Sequence, residues 1–183
     1  MKKILLIGFR GSGKSTVGKQ LAFALGVPFI DADEEIEKNI GKTIKEIVAE
    51  KGWEFFRKLE REFLKSLLSK DNLVCALGGG AVLHKEEMKE LKKESLIIWL
   101  DADIEVIKRR LKKDEKTATQ RPALTKMTWE EELESLYKER EPFYKNWADF
   151  QIDSSFENPE VLANKIINLI KEALYGKYYC RGY

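Results

Sequence analysis

The chain has 183 residues, 35% of them charged and 43% hydrophobic, with 33 Lys and Arg against 31 Asp and Glu for a net charge of +2. That length fits a single domain able to bury about 70% of its unfolded surface without disulfides or a structural metal, and the composition excludes a disordered chain. The near-balance of charge excludes a protein that coats nucleic acid, but it leaves room for a local basic site that holds an anion.

The two cysteines, Cys75 and Cys180, make neither a disulfide framework nor a zinc spacing, so a reducing compartment, the cytoplasm, is expected. The opening run is too short for a signal peptide and is broken by Arg10. No segment approaches the roughly 18 apolar residues of a membrane span. Neither a membrane nor nucleic acid is expected as a partner, and a monomer is expected.

Ile4–Ile7 is a short continuous apolar run, as in a strand buried on both faces. A helical pattern begins by Ser15, with Val17, Leu21 and Leu25 on one side, and Phe29–Ile30 supplies a second strand before Asp31. Thr43 with Glu46 forms a capping box for another helix, and Trp53–Leu68 reads as a longer one. Leu73–Leu77 is a third strand, stopped by Gly78-Gly79-Gly80, and Leu96–Leu100 a fourth, followed by a helix from Ile104 to about Lys112.

Residues 113–127 are polar and aperiodic and contain Arg121-Pro122, which predicts a functional loop. Thr128 and Glu131 cap the next helix, to about Tyr144, and Asn158-Pro159 starts the last. From Gly176 onward the residues match no element. The domain is therefore read as 1–175, with 176–183 as a C-terminal tail, native or added. Strands alternating with helices predict an α/β protein with a parallel sheet covered on both faces.

Gly8-Phe9-Arg10-Gly11-Ser12-Gly13-Lys14-Ser15 matches the phosphate-binding P-loop pattern in full, between a buried strand and a helix. Its glycines let backbone N–H groups wrap phosphate oxygens at a helix N-terminus. Lys14 reaches the β- and γ-phosphates in such loops, and the Ser15 hydroxyl ligates Mg²⁺. A nucleoside triphosphate ligand is expected. Asp31-Ala32-Asp33 follows the second strand at the carboxyl edge, where sheets of this class place their sites. Taken alone, the pair could equally be a solvated helix cap. Arg57 has Glu60 one turn later to hold its guanidinium, and the triple glycine leaves the third strand at the same edge.

These pieces, with Phe56-Arg57-Lys58-Leu59-Glu60, Arg121-Pro122 with Leu124, and Tyr137 to Tyr144 around Arg140, resemble the shikimate kinase family in order and spacing over about residues 3–172. The resemblance implies a three-layer P-loop kinase fold with a central five-stranded parallel sheet and a mobile lid at about 113–127. It implies ATP- and Mg²⁺-dependent phosphorylation of the 3-hydroxyl of shikimate, giving shikimate 3-phosphate and ADP on the route to chorismate and the aromatic amino acids.

Carried over by residue, Lys14, Asp33 and Arg121 are the catalytic candidates, Asp33 as base and Arg121 swinging onto the phosphates. Arg57 and Arg140 clamp the carboxylate, with backbone contacts from Gly79 and Gly80. Gly11, Ser12, Gly13, Lys14, Ser15 and Thr16 bind ATP, with Arg109, or secondarily Arg110, near the adenine, and Ser15 and Asp31 serve Mg²⁺. Bidentate arginine suits a small carboxylate, and phosphoryl transfer needs positioning and charge neutralisation.

Gluconate and nucleotide kinases are rivals on the same scaffold, and a nucleotide-dependent switch is a rival from another class. A guanine-type Asn-Lys-x-Asp signature is absent from the sequence. Asp101, after an apolar run, is read as a turn residue, and His84, the only histidine, as a surface residue.

Overall fold

The computed structural model describes residues 2–113 and 128–179, with residues 173–179 as backbone only. Five strands, β1 (Lys3–Ile7), β2 (Phe29–Asp31), β3 (Val74–Ala76), β4 (Ser95–Asp101) and β5 (Phe150–Asp153), form one parallel sheet in the order β2-β3-β1-β4-β5. Seven α-helices among the described residues connect and cover it: α1 (Lys14–Leu25), α2 (Ala32–Ile40), α3 (Ile44–Leu67), α4 (Lys85–Glu94), α5 (Ile104–Lys113), α6 (Trp129–Trp147) and α7 (Pro159–Tyr179). A single 3₁₀ turn, Ala81–Leu83, precedes α4.

The central strand shows why an unbroken apolar run was needed. Alternate side chains of β1 point to opposite faces. Leu5 and Ile7 join Cys75, Ile97 and Trp99 in a core roofed by α2 to α6. Ile4 and Leu6 join Val74, Ile98 and Leu100 under α1 and α7, through Val17, Leu21, Leu162 and Ile166. Both faces are dry, so the strands carry no amphipathic alternation. Helix α1 lies so close to β2 that a Cβ on Gly18 would strike the Phe29 ring.

The two capping boxes form as read, at Thr43 with Glu46 and at Thr128 with Glu131. The helices expected around Thr43 and from Trp53 run together as α3, interrupted at Gly52, whose φ of 79° and ψ of 169° are not helical. Helix α6 runs beyond Tyr144 to Trp147, whose indole N–H donates to Val82 O at 3.0 Å and anchors that end to the 3₁₀ turn.

Two elements had no signal, and helix α2 had only the cap reading of the Asp pair before its acidic first turn. Helix α4 has only Met88 and Leu91 as fully buried apolar residues, and β5 is an edge strand of sequence Phe-Gln-Ile-Asp with only Ile152 buried. The last helix passes through Gly176 to Tyr179, where the sequence reading has a tail without structure. An established helix tolerates a glycine at a cost of about 1 kcal/mol, so one breaker does not stop it. Residues 114–127, the body of the expected lid with Arg121, and residues 180–183 lie outside the described residues.

Candidate active site

All five parallel strands end on one edge, and the loops leaving β1, β2 and β3 there carry the expected groups. Gly8, Gly11 and Gly13 take φ values of 144°, 78° and 90°, the left-handed region that favours glycine. Gly8 is doubly constrained, since its Cβ would collide with Leu100 O. Gly13 serves as N-cap of α1 without a side chain, so the first N–H groups of that helix face the loop's concavity. Lys14 Nζ donates to Gly8 O at 2.9 Å and Phe9 O at 2.8 Å and so lies folded over the loop.

Asp31 closes the second side. Its Oδ1 accepts from the N–H of Asp33 at 3.0 Å and of Glu34 at 3.4 Å, capping α2, while Oδ2 accepts from Ser15 Oγ at 2.5 Å. The cap reading of the Asp pair therefore holds for Asp31, whose second carboxylate oxygen faces the phosphate loop. A hard hydroxyl oxygen and a carboxylate oxygen this close beside the phosphate loop fit a Mg²⁺ ion, which takes one or two protein oxygens and leaves the rest to phosphate and water. Among the described residues no cluster of three or more His, Cys, Asp or Glu side chains could hold a metal without such help.

A cleft of about 530 Å³ joins these parts. Arg10, residues 11–16 of the loop, Asp31, Asp33 and Gly79 line it, with Arg110, Ser154 and Pro159 on the far side. Arg110 staples that side to the loop, donating to Gly11 O at 3.2 Å, Ser154 O at 2.6 Å and Ser155 O at 3.1 Å. Arg109, the expected adenine contact, is exposed and does not line the cleft. Successive helical residues sit about 100° apart, and Arg110 is the one of the two adjacent arginines that faces the cleft. The loop of Ser154 and Pro159 is a part of the site that sequence reading missed, because only the parallel pairing of β5 with β4 brings it there.

Beyond the glycine corner lies a basic recess. Arg57 donates through Nη1 to Glu60 Oε2 and packs 5.6 Å from the Trp53 ring centre. A Cβ on Gly80 would strike its guanidinium, and a Cβ on Gly78 would come within 2.8 Å of both Asp33 Oδ1 and Glu60 Oε1. Gly78 and Gly80 are thus required because three charged groups, Asp33, Glu60 and Arg57, close on them, whereas a Cβ on Gly79 would meet only ordinary contacts. Tyr144, fully buried, donates from its hydroxyl to Gly79 O at 2.6 Å and fixes the corner from α6.

Arg140, one turn earlier on α6, is 7% exposed, and its Nε has no hydrogen-bond acceptor among the described residues. Burial, with the nearby Arg57 charge, lowers its pKa. Burial pushes the Glu60 carboxyl up, but hydrogen bonds from His84 and Arg57 and their charges outweigh it and hold the group below its ordinary range.

Two expectations are settled by contacts. Asp101 accepts from Tyr137 Oη at 2.7 Å, Gln151 Nε2 at 3.0 Å and its neighbour Ala102 N–H at 2.9 Å, a knot at the end of β4 that does not line the cleft. His84 is not on the surface. It is 6% exposed, because the 3₁₀ turn after Gly80 carries it inward against α3.

The family model for shikimate kinase matches residues 10–171. The chain belongs to the shikimate kinase family. The shikimate kinase of Thermodesulfovibrio yellowstonii is 44% identical over 177 residues, 97% of this chain and 99% of its own, and that of Persephonella marina is 41% identical over 171 residues, 93% and 100%. Among solved structures, the shikimate kinase from Acinetobacter baumannii in complex with shikimate superposes with a TM-score of 0.87 at 35% identity, covering 94% of each chain. Deoxyadenosine kinase from M. mycoides, at 18% identity and a TM-score of 0.63, shares the fold alone.

Proposed function

We infer that this chain is a shikimate kinase that moves the γ-phosphoryl group of ATP onto the 3-hydroxyl of shikimate, releasing shikimate 3-phosphate and ADP. The observation that carries the acceptor's identity is Arg140. It is a buried guanidinium without an acceptor for its Nε, set near Arg57 in a family whose members are named for a hydroxylated carboxylic acid. A buried donor left without an acceptor costs about 1–3 kcal/mol, more on a charged group, and a carboxylate that bridges two arginine forks removes that cost.

In this reading Arg57 and Arg140 grip the carboxylate, and Gly79 and Gly80 offer backbone groups to the ring. Asp33, at the cleft between them and the phosphate loop, orients the reacting hydroxyl and takes its proton. The backbone of Gly11, Ser12 and Gly13, with Ser15 and Thr16, cradles the phosphates of ATP, and Lys14 neutralises charge on the transferring group. Ser15 and Asp31 would hold Mg²⁺, which when bound supplies further neutralisation of the phosphate oxygens. Arg110, at the cleft where Arg109 is not, is favoured as the purine contact.

Residues 113–127 are proposed as a lid that brings Arg121 to the phosphates and excludes water, within a single domain whose last helix runs on to Tyr179. No helix among the described residues is long and apolar enough to cross a membrane. A cytoplasmic monomer that feeds the synthesis of aromatic amino acids completes the proposal.

A coupled ADP-release assay tests it. Turnover with shikimate far above that with gluconate or AMP is expected. Equal or faster turnover with either rival would reassign the acceptor.

A further inference from the structure

We propose that His84 is a positioning residue for the acceptor: through Nε2 it holds the Glu60 carboxylate in the orientation that aims Arg57 at the substrate's acid group. The proposal rests on the reading of Arg57 as a carboxylate ligand. His84 Nε2 lies 3.4 Å from Glu60 Oε2, the same oxygen that accepts from Arg57 Nη1. Both His84 and Glu60 are buried, at 6% and 4% exposure, while Arg57 keeps about a quarter of its side chain accessible.

The geometry divides the work. A glutamate held only by an arginine one turn away on its own helix can swivel about its terminal torsion and carry the guanidinium with it. His84 comes from a different element, so its bond fixes the carboxylate in the frame of the glycine corner. Its own backbone is tied on both sides, donating to Ala81 O at 3.1 Å and accepting from Met88 N–H at 2.9 Å. Gly80, four residues before His84, is the residue against which the Arg57 guanidinium packs. One short stretch, 79–84, thus supplies the backbone floor of the acceptor site, the surface under Arg57 and the group that holds Arg57's partner.

The groups that bear on Glu60 are Arg57 and His84, with Arg140 in range from α6. An imidazole with a proton on Nε2 offers Glu60 a single, fixed N–H donor.

The test compares His84→Leu, which keeps bulk and removes the donor, with His84→Gln, whose side-chain amide can donate from near the position of Nε2. Loosening the Glu60 carboxylate while Arg57 itself is kept should transmit part of the lost bond's worth and raise KM for shikimate about three- to tenfold, with kcat and KM for ATP changing less than about twofold. His84→Gln should restore most of the loss. Unchanged KM for shikimate in folded His84→Leu, or an equal rise for both substrates, overturns the proposal.

Because 84 is the only histidine, nitrogen-15 NMR of its ring gives a second reading without any mutation at the site. The Nε2–H tautomer is expected, with ring shifts that move on Glu60→Gln. An Nδ1–H tautomer, or a ring indifferent to Glu60→Gln, overturns the proposal even if His84→Leu fails to fold. A wild-type enzyme inactive on shikimate would remove the functional reading instead, and the ring spectrum would still report whether His84 holds Glu60.

Discussion

Arg57 and Arg140 differ in what replaces them. Arg57 makes a charge-assisted bond to Glu60 and stacks near Trp53 and Phe56, so its planar fork is used on two sides. Lysine keeps the charge but offers neither the fork nor the stacking plane. Arg57→Lys should therefore weaken shikimate binding by about 1.5–3 kcal/mol, the worth of a hydrogen bond to a charged group, and leave ATP binding within a few tenths of a kcal/mol. Titration calorimetry with each ligand separates these outcomes, and equal losses would contradict the clamp.

Glu60 adds a pH dependence of known sign. Its pKa is held below the ordinary glutamate value of 4.5 in the folded chain, so folding favours the charged form. That contribution is present in full above about pH 5 and is lost as pH falls through the lowered value. The stability gap between the wild type and Glu60→Gln should be widest above pH 5 and close in more acidic solution. Chemical denaturation across pH 3–7 checks this, and a gap that widens toward acid would reverse the assignment.

Helix α1 illustrates competition between local preference and packing. Alanine is a better helix residue than glycine by about 1 kcal/mol, and Gly18 sits in the middle of α1, so propensity alone predicts that Gly18→Ala stabilises. The added Cβ would meet the Phe29 ring and come within 3.1 Å of Leu6 Cδ1. Overpacking of this kind costs about 1–3 kcal/mol, and a ring between α1 and β2 has little room to yield. A net destabilisation of about 1 kcal/mol is expected, seen as a lower urea midpoint with an unchanged slope. Because α1 begins at the phosphate loop, ATP affinity should fall in the same variant.

For the molecule as a whole, the sites proposed for the two substrates lie on opposite sides of one glycine corner, and each ligand should hold the fold together. A ligand at 100 times its Kd adds about 2.7 kcal/mol to stability, which for a domain of this length corresponds to a rise in Tm of about 5–10 °C. Shikimate alone should produce such a shift, since its proposed clamp unites α3, α6 and the end of β3. Gluconate at the same concentration should produce little. Absence of any shift with shikimate, in a chain that still responds to ATP, would argue for another acceptor.

The phosphate loop, the Asp31 and Asp33 pair, Arg57 with Glu60, the triple glycine and both capping boxes are legible along the chain because their physics is local. A turn that needs left-handed backbone demands glycine within a few residues, and a cap needs its acceptor at a set spacing. The three buried strands β1, β3 and β4 are legible for a related reason, since burial on both faces leaves an unbroken apolar run, and the half-buried edge strand β2 is legible only from its Phe29-Ile30 pair before Asp31. Strand β5 is not, because an edge strand buries only Ile152 well and its sequence looks like any polar loop.

Nothing local marks His84 either. Its burial follows from the 3₁₀ turn that swings it onto α3, and its partner Glu60 lies 24 residues away. The choice of Arg110 over Arg109 at the cleft follows from the rotation of α5 about its axis, which is set by the packing of Val106, Ile107 and Leu111 into the core. Tyr144 meets Gly79 across 65 residues for the same reason. Residue type and short spacing set the chemistry available to the chain, whereas the pairing of distant strands and the rotation of helices on the sheet decide which of those groups meet.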